Sequence, residues 1–208
     1  MDAWSVGHST RTLEDLVALL HEHGARLVAD VRRFPRSRRH PQFDTAALAD
    51  ALPAAGVAYV HLPGLGGFRR AQRDSPNTAW RNSSFRGYAD YMQTDEFAGH
   101  LAALVALAGA TPTAIMCAEA VPWRCHRSLI ADALVARGTV VRHILGPGRA
   151  DPHALNATAR VDGTRVTYPG APELFGAAGG EVAGPPETHA TRPAGRRQRP
   201  QSSRLLKK

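Results

Sequence analysis

Apolar positions along the first 145 residues alternate between short continuous runs and stretches with a three-to-four-residue period, the patterns of buried strands and of amphipathic helices. Trp4-Ser5-Val6-Gly7-His8 is the first run, and Ser9 and Thr10 lead from it into a helix predicted from about Leu13 to His23. Thr12 and Asp15 fit a capping box at its start, and Gly24 stops it. Leu27 to Arg32 is the second run. A helix from about Thr45 to Ala54, with Asp44 as N-cap, leads through Gly56 to a third run, Val57 to His61. A longer helical stretch from Asp95 to Leu107 ends at Gly109, before a fourth run that reaches Met116 and Cys117. The helix from Ser128 to Arg137 then puts Leu129, Ile130, Ala133 and Leu134 on one face, and Gly138 separates it from the fifth run, Val140 to Ile144.

Strands that alternate with helices imply parallel neighbours joined by crossover connections. The predicted fold class is therefore α/β: three layers, with a mostly parallel five-stranded sheet and helices on both faces. Residues 1–150 form this α/β domain. Residues 151–175 extend it with a hairpin, since Ala159 to Gly163 and Val166 to Pro169 flank an Asp-Gly turn. The stretch from Leu62 onward is not helical in pattern: Leu62-Pro63-Gly64-Leu65-Gly66-Gly67-Phe68-Arg69-Arg70 and the residues to Arg86, with Trp80, Phe85 and Tyr88 nearby, read as a long loop or lid.

Ligands of open parallel sheets gather beyond the carboxyl ends of the strands. Those ends carry His8, Asp30, Arg32, His61, Cys117, Glu119 and His143. Each alone is more commonly a cap, a surface group or a satisfied buried polar side chain, but several at one sheet edge indicate a common site. The segment Ile115 to Arg127 is the densest part, holding both cysteines, Glu119, Arg124, His126 and Arg127 between a strand and a helix. Cys117, Glu119, Asp30 and His8 are the candidate catalytic groups. Glu119 and Asp30 would serve as acid and base, and Cys117 as nucleophile or wall. Arg32, His61, Gly66, Gly67, Cys125, His126 and Arg127 are the candidate ligand-binding groups, through charge, exposed amides and a helix N-terminus. An internal ion pair between Arg127 and Glu119 is the competing structural role. Cys117, Cys125 and His126, with His8 or His61 to complete four, are donors that zinc prefers, yet their spacing matches no zinc-finger pattern. No metal is assigned, and the cofactor is left open.

The chain has 208 residues and a net charge of +8. Residues 176–208 hold seven Arg or Lys against Glu181 and Glu187 and show no apolar periodicity, which predicts a disordered basic tail. Arg32, Arg33, Arg36, Arg38 and Arg39 form a second basic cluster. The cluster and the tail make nucleic acid a possible partner, with binding that falls steeply with salt. No apolar run approaches the roughly 18 residues of a membrane span, and the N-terminus has no signal-peptide pattern, so a cytoplasmic location is expected. Two cysteines do not make a disulfide framework.

His8 in Val-Gly-His-Ser, Asp30-Val31-Arg32 with Pro35, Leu65-Gly66-Gly67, the stretch Phe85 to Met92, and Cys117-Ala118-Glu119 through Cys125-His126-Arg127 together resemble the bacterial domain-of-unknown-function 488 family over about residues 3–175. The resemblance implies the fold and the site but carries no reaction. Leu27 to Arg32 also looks like the Asp-Val-Arg strand of rhodanese-type sulfurtransferases, with Cys117 in the place of their nucleophile; Glu119, two residues on, departs from their anion-cradling loop and would raise the thiol pKa. The phosphatase pattern Cys-x5-Arg fails by one position at Arg124. Pro172-Glu173-Leu174-Phe175 is similar to the end of peptides that bind the replication sliding clamp but lacks their leading Gln. The reading that follows is a site for a small anionic, phosphate- or nucleotide-like ligand at the sheet edge, and an enzyme if Glu119, Asp30 and Cys117 act there. Nucleic-acid association and sulfur transfer are the alternatives.

Overall fold

The structure, a computed structural model, describes residues 2–171. Five strands run parallel: β1 (Asp2–Gly7), β2 (Leu27–Asp30), β3 (Ala58–His61), β4 (Thr113–Cys117) and β5 (Val140–Gly146). A sixth, β6 (Arg149–Pro152), pairs antiparallel with β5 and gives the order β3-β2-β4-β1-β5-β6. The sheet therefore has six strands rather than the five expected. Arg149-Ala150-Asp151-Pro152 lacks apolar alternation, because an edge strand buries little; Gly148 at φ 66° makes the turn back from β5, and a proline is tolerated at such an edge.

Strand alternation sends neighbouring side chains to opposite faces and builds two cores. Val6, Val28, Ala114, Met116 and Ile144 pack on one face with Leu16, Leu20, Leu48 and Leu52 from α1 (Leu13–Glu22) and α2 (Thr45–Ala54). Ala29, Val31, Ile115, Cys117 and Val141 pack on the other with residues of α3 (Ser83–Tyr91), α4 (Asp95–Ala110) and α5 (Arg127–Val135). The expected three-layer arrangement follows from these two sets. Thr12 and Asp15 form the capping box of α1, each side chain bonded to the other's backbone N–H.

Helix α3 replaces the latter part of the stretch read as a loop. Its first turn is Ser83-Ser84, and it carries Gly87, a composition that favours turns; the Asn82 side chain accepts from the N–H groups of Ser84 and Phe85 and starts the helix. Tertiary bonds do the rest. The Asp90 carboxylate accepts from Gln72 N–H, the Ser75 hydroxyl and the Asn77 amide, which ties the preceding loop down along α3. That loop crosses the helix at Gly87, where a β-carbon would lie 2.3 Å from the Arg69 carbonyl oxygen. Residues 62–82 are thus a pinned loop.

β7 (Arg160–Asp162) and β8 (Arg165–Thr167) form the expected hairpin as a separate two-stranded sheet, with Gly163 at φ 57° in its turn. Tyr168, just beyond it, is fully buried and donates to Asp132 of α5. The basic tail and Pro172 to Phe175 lie outside the described residues.

Candidate functional site

The carboxyl ends of β2, β4 and β1 lie side by side at the middle of the sheet. Their ladder continues past the strands: Val31 N–H donates to the Met116 carbonyl, His8 N–H to Cys117 and Ser9 N–H to Ala118. The chain after Cys117 is thereby laid across the end of β1, and only glycine fits beneath it, since a β-carbon on Gly7 would sit 1.8 Å from the Glu119 carbonyl oxygen. Arg127, 1% exposed, fixes the loop from the other side by donating to that same carbonyl and to the Ser5 hydroxyl at 2.8 Å. In place of the Arg127–Glu119 ion pair that was the competing structural role, Arg127 meets the backbone of Glu119, and the Glu119 side chain is exposed.

Cys117 and Cys125 are both free and buried, and their sulfurs lie together with His126 Nδ1. Cys125 and His126 stand at the start of α5, after the turn Pro122–Arg124. His126 Nε2 lies 3.1 Å from the Val31 carbonyl, an acceptor, so Nε2 carries the proton and the Nδ1 lone pair is left toward Cys125 Sγ at 3.7 Å. The two thiols share a hydrogen bond in which Cys117 is the donor; that bond, followed by burial, raises the Cys117 thiol. Cys125 is held low as the acceptor of that bond, with the Arg127 charge helping. Arg127 is a buried cation with no carboxylate partner in an ion pair among the described residues, and its charge favours the thiolate form of Cys125. A raised thiol holds its proton more firmly and a lowered one is the readier thiolate, so the two sulfurs are not equivalent.

A second cluster stands on the other face. Asp30 is fully buried, and its oxygens accept from Arg32 Nε at 2.8 Å, Arg32 Nη2 at 2.5 Å, the Arg32 N–H and the Tyr59 hydroxyl. Arg32 Nη2 also donates to the Phe43 carbonyl, and Nη1 to His8 Nε2 at 3.1 Å. His8 stacks on Phe43, with ring centroids 4.2 Å apart, and donates from Nδ1 to the Ser9 carbonyl. Burial, then the Arg32 charge, pushes its pKa down to about 4, so it is a neutral acceptor. His61 Nε2 donates to the Arg32 carbonyl. Asp30, His8 and His61 therefore position Arg32, and Asp30 and Glu119 are not brought together.

Arg32 is the bridge between this cluster and a cavity of about 510 Å³ on the thiol side. Of the expected residues, Arg32, Gly67, Cys117, Glu119, Cys125 and His126 line it. Gly66 is buried just behind, where a β-carbon would meet the Arg33 backbone at 2.7 Å. The cavity also takes in Phe34, which the sequence did not single out, and Arg33, Phe68, Phe85 and Arg124, which it placed in the basic cluster, the loop or lid and the Cys117 to Arg127 segment without a binding role. Phe34 and Phe68 are 70% and 84% exposed, with ring centroids 6.4 Å apart, and Arg33 lies over the Phe34 ring. Phe68 adopts φ 61°, an uncommon conformation for a bulky residue, and this displays its ring at the mouth. An aromatic directly after Gly66-Gly67 in a basic loop was the available signal.

Fold and site together define an α/β protein with a cationic, aromatic-rimmed cleft over a thiol pair at the carboxyl edge of its sheet. The family model described as "Domain of unknown function DUF488" matches residues 12–134, from the cap of α1 into α5, and the chain belongs to that family. No curated protein and no solved structure matches it.

Proposed function

We propose that the cavity binds a small phosphate-bearing ligand with a planar ring, a nucleotide-like molecule, and that the protein acts on it at the thiol floor. The observation that carries this reading is the mouth, where exposed Phe34 and Phe68 stand beside Arg33 and Arg124. The volume is of the size that holds such ligands. The rings offer a stacking surface and the guanidiniums a fork for phosphate oxygens. Arg32 keeps one N–H that is not bonded within the protein, and its charge is largely offset by Asp30. Glu119, exposed at the cavity, supplies a carboxylate for proton transfer in this reading.

Arg36, Arg38 and Arg39, in the loop that starts at Phe34, favour a second reading in which the ligand is the end of a nucleic acid strand. Affinity measured by ligand-induced thermal stabilisation of the full chain tests the first. Arg33→Ala, Arg124→Ala and Phe68→Ala should each weaken a nucleoside monophosphate by roughly tenfold, about 1.4 kcal/mol, without loss of fold. Unchanged affinity in all three variants would remove the cavity as the binding site.

A further inference from the structure

We propose that Cys117, Cys125 and His126 form a binding site for one zinc-class divalent ion, with the fourth coordination position open to the cavity. The inference stands on these three residues alone and does not depend on the nucleotide reading.

The two sulfurs and an imidazole nitrogen lie within 4.8 Å of one another. A tetrahedral zinc with bonds of about 2.3 Å to sulfur and about 2.0 Å to nitrogen sets its ligand atoms about 3.5 Å apart along a sulfur–nitrogen edge; Cys125 Sγ and His126 Nδ1 are 3.7 Å apart. Only small movements of the side chains are needed to close the site.

The imidazole is prepared for the role. A metal-bound histidine characteristically donates its second N–H to a carbonyl or carboxylate, which fixes the ring and leaves the ligating nitrogen free. His126 does this through Val31, and Tyr88 packs beside the ring with centroids 5.0 Å apart. On the open side lies Gly67, where a β-carbon would stand 3.2 Å from Nδ1; glycine leaves room there.

Charge and softness agree with the ion. Thiolates select zinc or cobalt over magnesium and calcium. Two thiolates offset the divalent cation, and the charge of buried Arg127 beside them favours an anionic oxygen at the open fourth position. The spacing fits no finger because the ligands come from a strand end and the next helix start, with the turn Pro122–Arg124 between them. The histidines named as fourth ligands from sequence are turned away: His8 and His61 are both bonded to Arg32. All three ligating residues line the cavity, so a water or a ligand oxygen completes the sphere, an arrangement typical of catalytic rather than structural zinc.

The test is titration of the full, reduced, metal-free chain with Co2+, read by the thiolate-to-cobalt charge-transfer absorption in the near ultraviolet, and then displacement by Zn2+. One ion per chain is expected. Cys117→Ser and Cys125→Ser should each lose roughly half the charge-transfer intensity, and His126→Gln should keep the intensity but weaken binding by at least about tenfold. Absence of the band in folded wild-type protein, or a band undiminished by both serine substitutions, would overturn the site. If the serine variants do not fold, wild type and His126→Gln decide it: a band of unchanged affinity in His126→Gln counts against the site.

Discussion

At Arg32 four guanidinium N–H groups are occupied by Asp30, Phe43 and His8 within a buried network. Asp30 and Arg32 are two residues apart at a strand end, so alternation puts both on one side, and their pairing was legible from the chain once that was applied. What sequence could not show is that the pair closes on itself so far that Arg32 keeps a single unbonded N–H. The consequence for stability is large. Arg32→Ala strands a fully buried carboxylate and should cost about 3–5 kcal/mol in urea unfolding, whereas Glu119→Gln at an exposed position should stay within about 0.5 kcal/mol. Equal effects of the two substitutions would show that the buried pair has been misassigned. Cys117, Cys125 and His126 were all legible as reactive residue types; their convergence on one point depends on the fold of the loop between them.

The loop from Cys117 to His126 is an element shaped by its neighbours: β1 supplies the floor at Gly7, and α5 supplies Arg127 as the clasp. Gly7→Ala should force the Glu119 carbonyl away, cost about 1–3 kcal/mol in thermal unfolding, and lower cobalt affinity in the same protein. Retained stability would mean that the loop is free to shift. The five parallel strands and four of the helices announce themselves through periodicity, because burial on one or both faces imposes it on most of them. The two elements that escaped, β6 and α3, have weak patterns for different reasons. β6 is a polar edge, and α3 is held by bonds from Asp90 and Tyr88 to a distant loop. Asn82→Ala should cost α3 about 1 kcal/mol, seen as earlier thermal unfolding.

For the molecule as a whole, acid sensitivity is built into the sheet at two buried histidines, His8 at its middle and His143 toward its far end. His143 on β5 is buried, and burial, then the charges of His153 and Arg127, pushes its pKa down to about 4 against the favourable pull of Asp151 and Asp132. Between pH 6.5 and about 4 the unfolded chain binds the proton that folded His143 refuses, so stability is full above pH 6.5 and falls as the pH drops, by on the order of 1–3 kcal/mol. His143→Asn should flatten that slope in a series of thermal unfolding curves; an unchanged slope would assign the sensitivity elsewhere. Among the described residues no helix is long and apolar enough to cross a membrane. The parallel core of the α/β fold and its family were legible from the chain. The cavity mouth was not, because Phe34, Phe68 and Arg124 meet only through the folded loops. The most direct measurement is a calorimetric titration of the full chain with a nucleoside monophosphate, the matching nucleoside and inorganic phosphate. The cavity predicts that the monophosphate binds at least about tenfold more tightly than either part, since ring and phosphate meet separate groups; equal affinity for all three, or no binding of any, would contradict it.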